Sequence, residues 1–196
     1  MTLGSKGFIR PFNFCLIVII GFNMILPASI FAANAAALSN IKLANTRDDL
    51  LTYFEVENAF TPATLETIQN GMPTTFSFYV TLYKRTSNLF DKRIADLKIQ
   101  STIKYNSLKE EYTVFRPWKD ETPLMTKSLD EAKEWMVDID NLKVIALADL
   151  AKGDKYQIRI KAELEKVTLP LALHYVFFFV SFWDFDTDWY VINFTY

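Results

Sequence analysis

Two stretches of this chain alternate so regularly that only a strand accounts for them. In "KYQIRIKAEL", Tyr156, Ile158, Ile160, Ala162 and Leu164 are interleaved with Lys155, Gln157, Arg159, Lys161 and Glu163. In "PTTFSFYVTLYKR", Phe76, Phe78, Val80 and Leu82 are interleaved with Thr75, Ser77, Tyr79, Thr81 and Tyr83. Successive side chains of a strand point to opposite faces, so each stretch has one apolar face and one polar face. A helix would spread both sets around its circumference. The apolar faces demand a second layer packed over them.

The same period recurs elsewhere. Leu50, Thr52, Phe54 and Val56 oppose Leu51, Tyr53, Glu55 and Glu57. "RIADLKIQSTIKY" sets Leu97, Ile99, Ile103 and Tyr105 against Lys98, Gln100, Thr102 and Lys104, and "NSLKE" turns it into a further strand, "EYTVFR". Short helices punctuate the strands. In "TPATLETIQNG", Thr61 caps, Pro62 fits the first turn and Gly71 fits a left-handed stop, with Leu65 and Ile68 on the inner face. In "SLDEAKEWMVDI", Ser128 and Glu131 have capping-box spacing, and Leu129, Ala132 and Met136 follow at helical spacing. Helices do not separate every strand pair, which argues against a doubly wound parallel sheet. Ahead of Tyr156 stand a leucine and a turn with Gly153 and Asp154. Immunoglobulin-like sandwiches use such a corner, with the tyrosine hydroxyl bonded to upstream backbone. The expected fold is mainly β (α+β): an antiparallel, immunoglobulin-like β-sandwich with two or three short helices.

Residues 1–37 have the features of a signal peptide. Lys6 and Arg10 precede an uncharged, mostly apolar run from Phe12 to Phe31, and Ala33-Asn34-Ala35 fits a small-residue cleavage pattern. The run is also long enough to serve as an uncleaved inner-membrane anchor. The expected organisation is a signal peptide, 1–37, a linker, 38–47, and a single β-rich domain, 48–196. Cys15 is the only cysteine and lies within the leader, so the domain has no disulfide, thiol chemistry or thiolate metal site. Without Lys6 and Arg10 the formal net charge moves from −2 to −4. Scattered, mildly acidic charge excludes a phosphate-tracking stripe, so nucleic acid is not an expected partner.

Catalytic signatures are missing. His174 is the only histidine, and its apolar setting fits a core position. Ser181 would share a helix face with it, but about 10.5 Å along the axis, out of bonding reach. Asp184, Asp186 and Asp188 imitate the opening of a calcium loop. Trp189 and Thr195 stand where its glycine and glutamate belong. These aspartates share parity with Tyr190, Ile192 and Phe194, so one continuous strand would bury three carboxylates. The last strand is therefore expected to begin near Asp188 or Trp189, after a solvated turn. Glu55 with Glu57, Glu110 with Glu111, and Asp138 with Asp140 fit outer faces or turns. Beyond the leader the only glycines are Gly71 and Gly153, too few for a phosphate-cradling loop. No catalytic, cofactor or metal residue is assigned, and no cofactor is expected.

Several short motifs, in their order, carry a resemblance: "NGMPTTF", "YNSLKEEYTV", "SLDEA", "YQIRIKAEL" followed by Leu169-Pro170, and a final "DWYV". Over roughly residues 45–196 the chain resembles domain-of-unknown-function family 4390, uncharacterised exported bacterial proteins. That resemblance brings no catalytic residue. It implies an envelope setting, with a signalling context beside a membrane sensor kinase.

The expected function is a non-enzymatic exported envelope module, periplasmic or held at the inner membrane by residues 12–31, that binds an envelope or inner-membrane protein. The outer stripe with Tyr79 and Tyr83 is the expected contact face, since aromatic residues are enriched at recognition surfaces. A helix over 129–139, carrying Trp135, is the alternative cover for that face. One rival function is a carrier of an apolar ligand or lipid, with Phe177, Phe178, Phe179 and Phe182 lining a cavity. A second is a carboxylate-based hydrolase, which needs two acids converging on a cleft. The pattern leaves open whether residues 169–183 form helix or strand, and it leaves the oligomeric state unassigned.

Overall fold

The computed structural model describes residues 35–86, 90–165 and 185–196. The chain divides into two compact units, 1–33 and 34–196, and all described residues belong to the second. That unit contains nine strands: β1 Ala37–Asn45, β2 Asp49–Glu57, β3 Thr74–Lys84, β4 Lys92–Asn106, β5 Glu111–Phe115, β6 Leu124–Thr126, β7 Asp138–Ala146, β8 Lys155–Leu164 and β9 Tyr190–Thr195. Its two α-helices are α1, Pro62–Gln69, and α2, Leu129–Val137. Every pairing is antiparallel. One sheet has the order β1-β2-β7 and the other β6-β5-β4-β3-β8-β9. An immunoglobulin variable-type sandwich places A, B and E together and extends G-F-C with C′ and C″. Here β1, β2 and β7 follow the first pattern, and β9, β8, β3, β4 and β5 the second.

Alternation accounts for the core. Phe76, Phe78, Val80 and Leu82 of β3, with Ile158, Ile160 and Ala162 of β8, are fully buried. Phe54 of β2 meets Phe78 of the other sheet with ring centroids 5.9 Å apart, and Phe76 lies between Phe60 at 5.1 Å and Phe185 at 4.9 Å. Burying each such ring contributes about 1.5–3 kcal/mol relative to exposure. The expected corner is present: the Ala151 amide donates to Tyr156 Oη at 2.8 Å, Leu150 is buried, and Gly153 takes φ +83°.

Both helices begin as their sequences dictate. Thr61 Oγ1 accepts from the Thr64 amide at 3.2 Å, Pro62 opens α1, and Gly71 follows its end at φ +77°. The inner face of α1 is Thr64, Thr67 and Ile68, while Leu65, expected there, is half-buried. Thr67 can be buried because its hydroxyl donates to the Ala63 carbonyl at 2.9 Å. Ser128 caps α2 by accepting from the Glu131 amide at 3.3 Å. The capping box is only half made. The Glu131 carboxylate accepts from the Thr126 hydroxyl, and the Ser128 amide donates to Thr126 Oγ1.

The linker expected over 38–47 is corrected: Ala37–Asn45 is a strand paired with β2. The inward residues Leu38, Ile41 and Leu43 fail to alternate because a bulge intervenes. Asn40 adopts φ +51°, and the register slips between Ser39 and Lys42. The same device hides β7. Asn141 adopts φ +54°, so Ile139, Leu142 and Val144 face the core out of step. The two bulges lie at the same level on either side of β2, flanking Phe54. Each left-handed position holds asparagine, which tolerates it better than most residues.

The end of the chain changes phase as its aspartates require. Phe185 and Thr187 face inward, whereas in β9 the half-buried residues are Ile192 and Phe194. Asp186 and Asp188 are exposed. Residues 187–189 absorb the shift, although Asp186 makes an isolated bridge to Glu163 and is not in a free turn.

Candidate interaction face

The outer face of the larger sheet gathers side chains from four strands. Register sets each neighbour: Tyr79 stands between Lys98 of β4 and Lys161 of β8, Thr81 between Asp96 and Arg159, and Tyr83 between Arg93 and Gln157. Arg159 in turn faces Val191 of β9. Tyr79 and Tyr83, the expected contact pair, thus share this face, both half-buried. Helix α2 packs on β2, β4, β5 and β6 and sends Ala132 and Met136 into the core. Trp135 therefore does not form the cover over the two tyrosines that the sequence offered as an alternative.

The two ends of the face differ. Around Tyr79 every group is committed. Its hydroxyl donates to Glu163 Oε1, and Lys98 Nζ lies 5.5 Å from its ring centre. Glu165 Oε1 accepts from Ser77 at 2.8 Å, Lys98 at 2.7 Å and Gln100 at 2.6 Å. The Lys98 ammonium, with the Ser77 hydroxyl, holds the Glu165 carboxyl below the usual carboxylate range. The bond to Glu163, with burial, pushes the Tyr79 phenol up. Lys161 is bound by Asp186 at 2.7 Å, which raises its pKa. This half is a closed network of paired charge.

Around Tyr83 the surface opens into a groove of about 370 Å³, lined by Thr81, Tyr83, Gln157, Arg159, Trp189 and Val191. Arg159 lies over the Tyr83 ring at 4.6 Å, and its Nε donates to Gln157 Oε1 at 2.7 Å. Trp189 is 48% exposed and Val191 44%. Arg159, Trp189 and Val191 were not singled out from the sequence. The alternation places Arg159 outward, but only the sheet order sets it beside Val191 and in one groove with Trp189, whose ring lies 5.9 Å from Lys161 Nζ. A second, larger groove at the corner is lined by Arg85, Asp154, Tyr156 and Asn193 among others. Its Asp154 is held by Lys84.

Acids gather on the other sheet. Asp138 lies directly opposite Glu55, and Asp140 bonds Lys119. Burial, then the charges of Asp140 and Glu55, raise the Asp138 pKa. Burial alone would raise Asp140 too, but Lys119, with Asn141, outweighs it and lowers that pKa. Neither groove is lined by a pair of carboxylates. Among the described residues no group of three or more histidines, cysteines or acids is placed to hold a metal ion. His174, Ser181, Asp184, and the expected cavity residues Phe177, Phe178, Phe179 and Phe182 lie outside the described residues, as do Cys15 and the leader through residue 34. No described helix is long and apolar enough to cross a membrane.

Fold and face together define a β-sandwich domain with an aromatic, cation-bearing groove on its larger sheet. Its family follows from a direct match: the family model described as Domain of unknown function (DUF4390) covers residues 33–193, and the chain belongs to that family. No curated protein and no solved structure matches the chain.

Proposed function

We propose that this domain is a non-enzymatic, exported binding module that engages an envelope protein through the groove end of its larger sheet. One observation carries the proposal: Trp189 and Val191 stand about half exposed beside the Arg159–Tyr83 stack, on a face whose other half is internally paired. Large apolar side chains flanking a guanidinium are the residue types that anchor protein interfaces. The leader composition supports export, to the periplasm or to the outer face of the inner membrane.

The test is site-specific photo-crosslinking in intact cells. A photoreactive residue is placed in turn at Tyr83, Trp189 and Val191, with Leu108 as the control, since it is 96% exposed at the β4–β5 hairpin. A discrete adduct with one protein from the groove positions, and none from Leu108, is the expected result. No adduct from any groove position, or the same ladder from all four, would sink the proposal.

A further inference from the structure

The groove borders a sheet edge that lacks protection among the described residues. Exposed edges invite strand pairing, and proteins blunt them with bulges, charge, proline or short length. The two edges of the smaller sheet, β1 and β7, are each bulged. On one side of the larger sheet β6 has only three residues, and the stretch of β4 that extends past β5, Lys92–Ser101, is bulged and carries Lys92, Arg93, Asp96 and Lys98. At the other end β9, "YVINFT", has no bulge, no proline and no charge, and it pairs with β8 in unbroken register from Tyr190 to Thr195. Among the described residues nothing pairs with its outer edge.

Charge identifies what fits there. Arg93, Lys98 and Lys161 on this face each meet a carboxylate, at 2.7 Å. Arg159 meets none among the described residues; its contacts are the neutral Gln157 and the Tyr83 ring. Among the described residues it is the only charged one lining the groove. Guanidinium groups favour planar carboxylates, which they bind through two parallel bonds.

Resting on the reading of this face as an interaction surface, we infer that its occupant is an extended acidic segment of a protein partner, added as a strand along β9 with an Asp or Glu side chain on Arg159. Strand addition takes affinity from main-chain bonds and specificity from alternate side chains. A residue paired beside Val191 shares the face of Arg159, two strand spacings away, about 10 Å. On binding, Arg159 leaves the Tyr83 ring and Gln157, and its side chain and a glutamate then span that gap together. Trp189 and Val191 then cover the ion pair from water, which strengthens it.

The test is selection from a random linear peptide library on the purified full-length chain and on its Arg159→Gln and Arg159→Glu variants, with melting curves to verify folding. Enrichment of Asp or Glu at one fixed position on the wild type is expected. We expect binding of the selected peptide to weaken at least tenfold in Arg159→Gln, and Arg159→Glu to enrich Lys or Arg instead. Amide exchange in β9 should slow when that peptide binds. Peptides lacking an acidic position, or unaffected by Arg159→Gln, overturn this inference and leave the crosslinking result standing. An edge already protected in the free protein, or no enrichment, overturns it as well.

Discussion

Single residues decide where this chain turns and what it tolerates. Tyr156 is almost wholly buried, yet its hydroxyl accepts from the Ala151 amide and closes the corner before β8. Tyr156→Phe keeps the ring packed against Phe194, 5.6 Å away, and removes only that bond. The expected loss is about 1 kcal/mol in urea unfolding. A loss near zero would mean that the corner is held by Gly153 and Leu150 alone. The tyrosine was legible because a leucine, a glycine turn and a strand converge on it within a few positions. Arg159 was not legible as a site residue. Its alternation gave the direction of its side chain, while its neighbours come from β3 and β9, far away in sequence.

At the scale of elements, legibility followed regularity. The strands β2, β3 and β8 alternate without interruption over their inward residues, β4 does so from Leu97 onward, past a bulge at Ile94, and each is recognisable. The strands β1 and β7 carry a left-handed asparagine that shifts the pattern by one residue, so one resembles a linker and the other shows no strand period. Three-residue β6 is too short to show a period. The bulge in β7 has an energetic side too. Glu55 and Asp138 face each other in the β2–β7 pair, and like charges directly opposite destabilise a sheet. The folded pKa of Asp138 is raised, chiefly by burial and then by its acidic neighbours, so the ionised group lowers stability as pH rises through that value. Asp138→Asn is therefore expected to raise the urea midpoint at pH 7. The gain should disappear below the ordinary carboxylate range, about pH 4. A gain that is independent of pH would point to packing instead of charge.

At the scale of the whole domain, the described residues share one aromatic-rich core that joins two sheets, and they include no cysteine and no cluster of three or more metal-ligating side chains. Chelator and millimolar calcium are both expected to leave the melting temperature unchanged. The Asp186 carboxylate is already held by Lys161, and the Asp184-x-Asp186-x-Asp188 spacing lacks the remaining ligands of a calcium loop. A rise of several degrees with calcium would reveal a site built on other donors.

The uneven treatment of the sheet edges also limits how copies of this molecule can associate with each other. The bulged β1 and β7, three-residue β6 and the bulged, charged stretch of β4 that extends past β5, Lys92–Ser101, leave β9 as the single unblunted border among the described residues. A body with two such borders can grow into a filament, but a body with one has a valency of one. Two copies joined edge to edge through β9 would consume both borders and stop. At high concentration self-association should thus end at a pair, and any protein bound along β9 would compete directly with it.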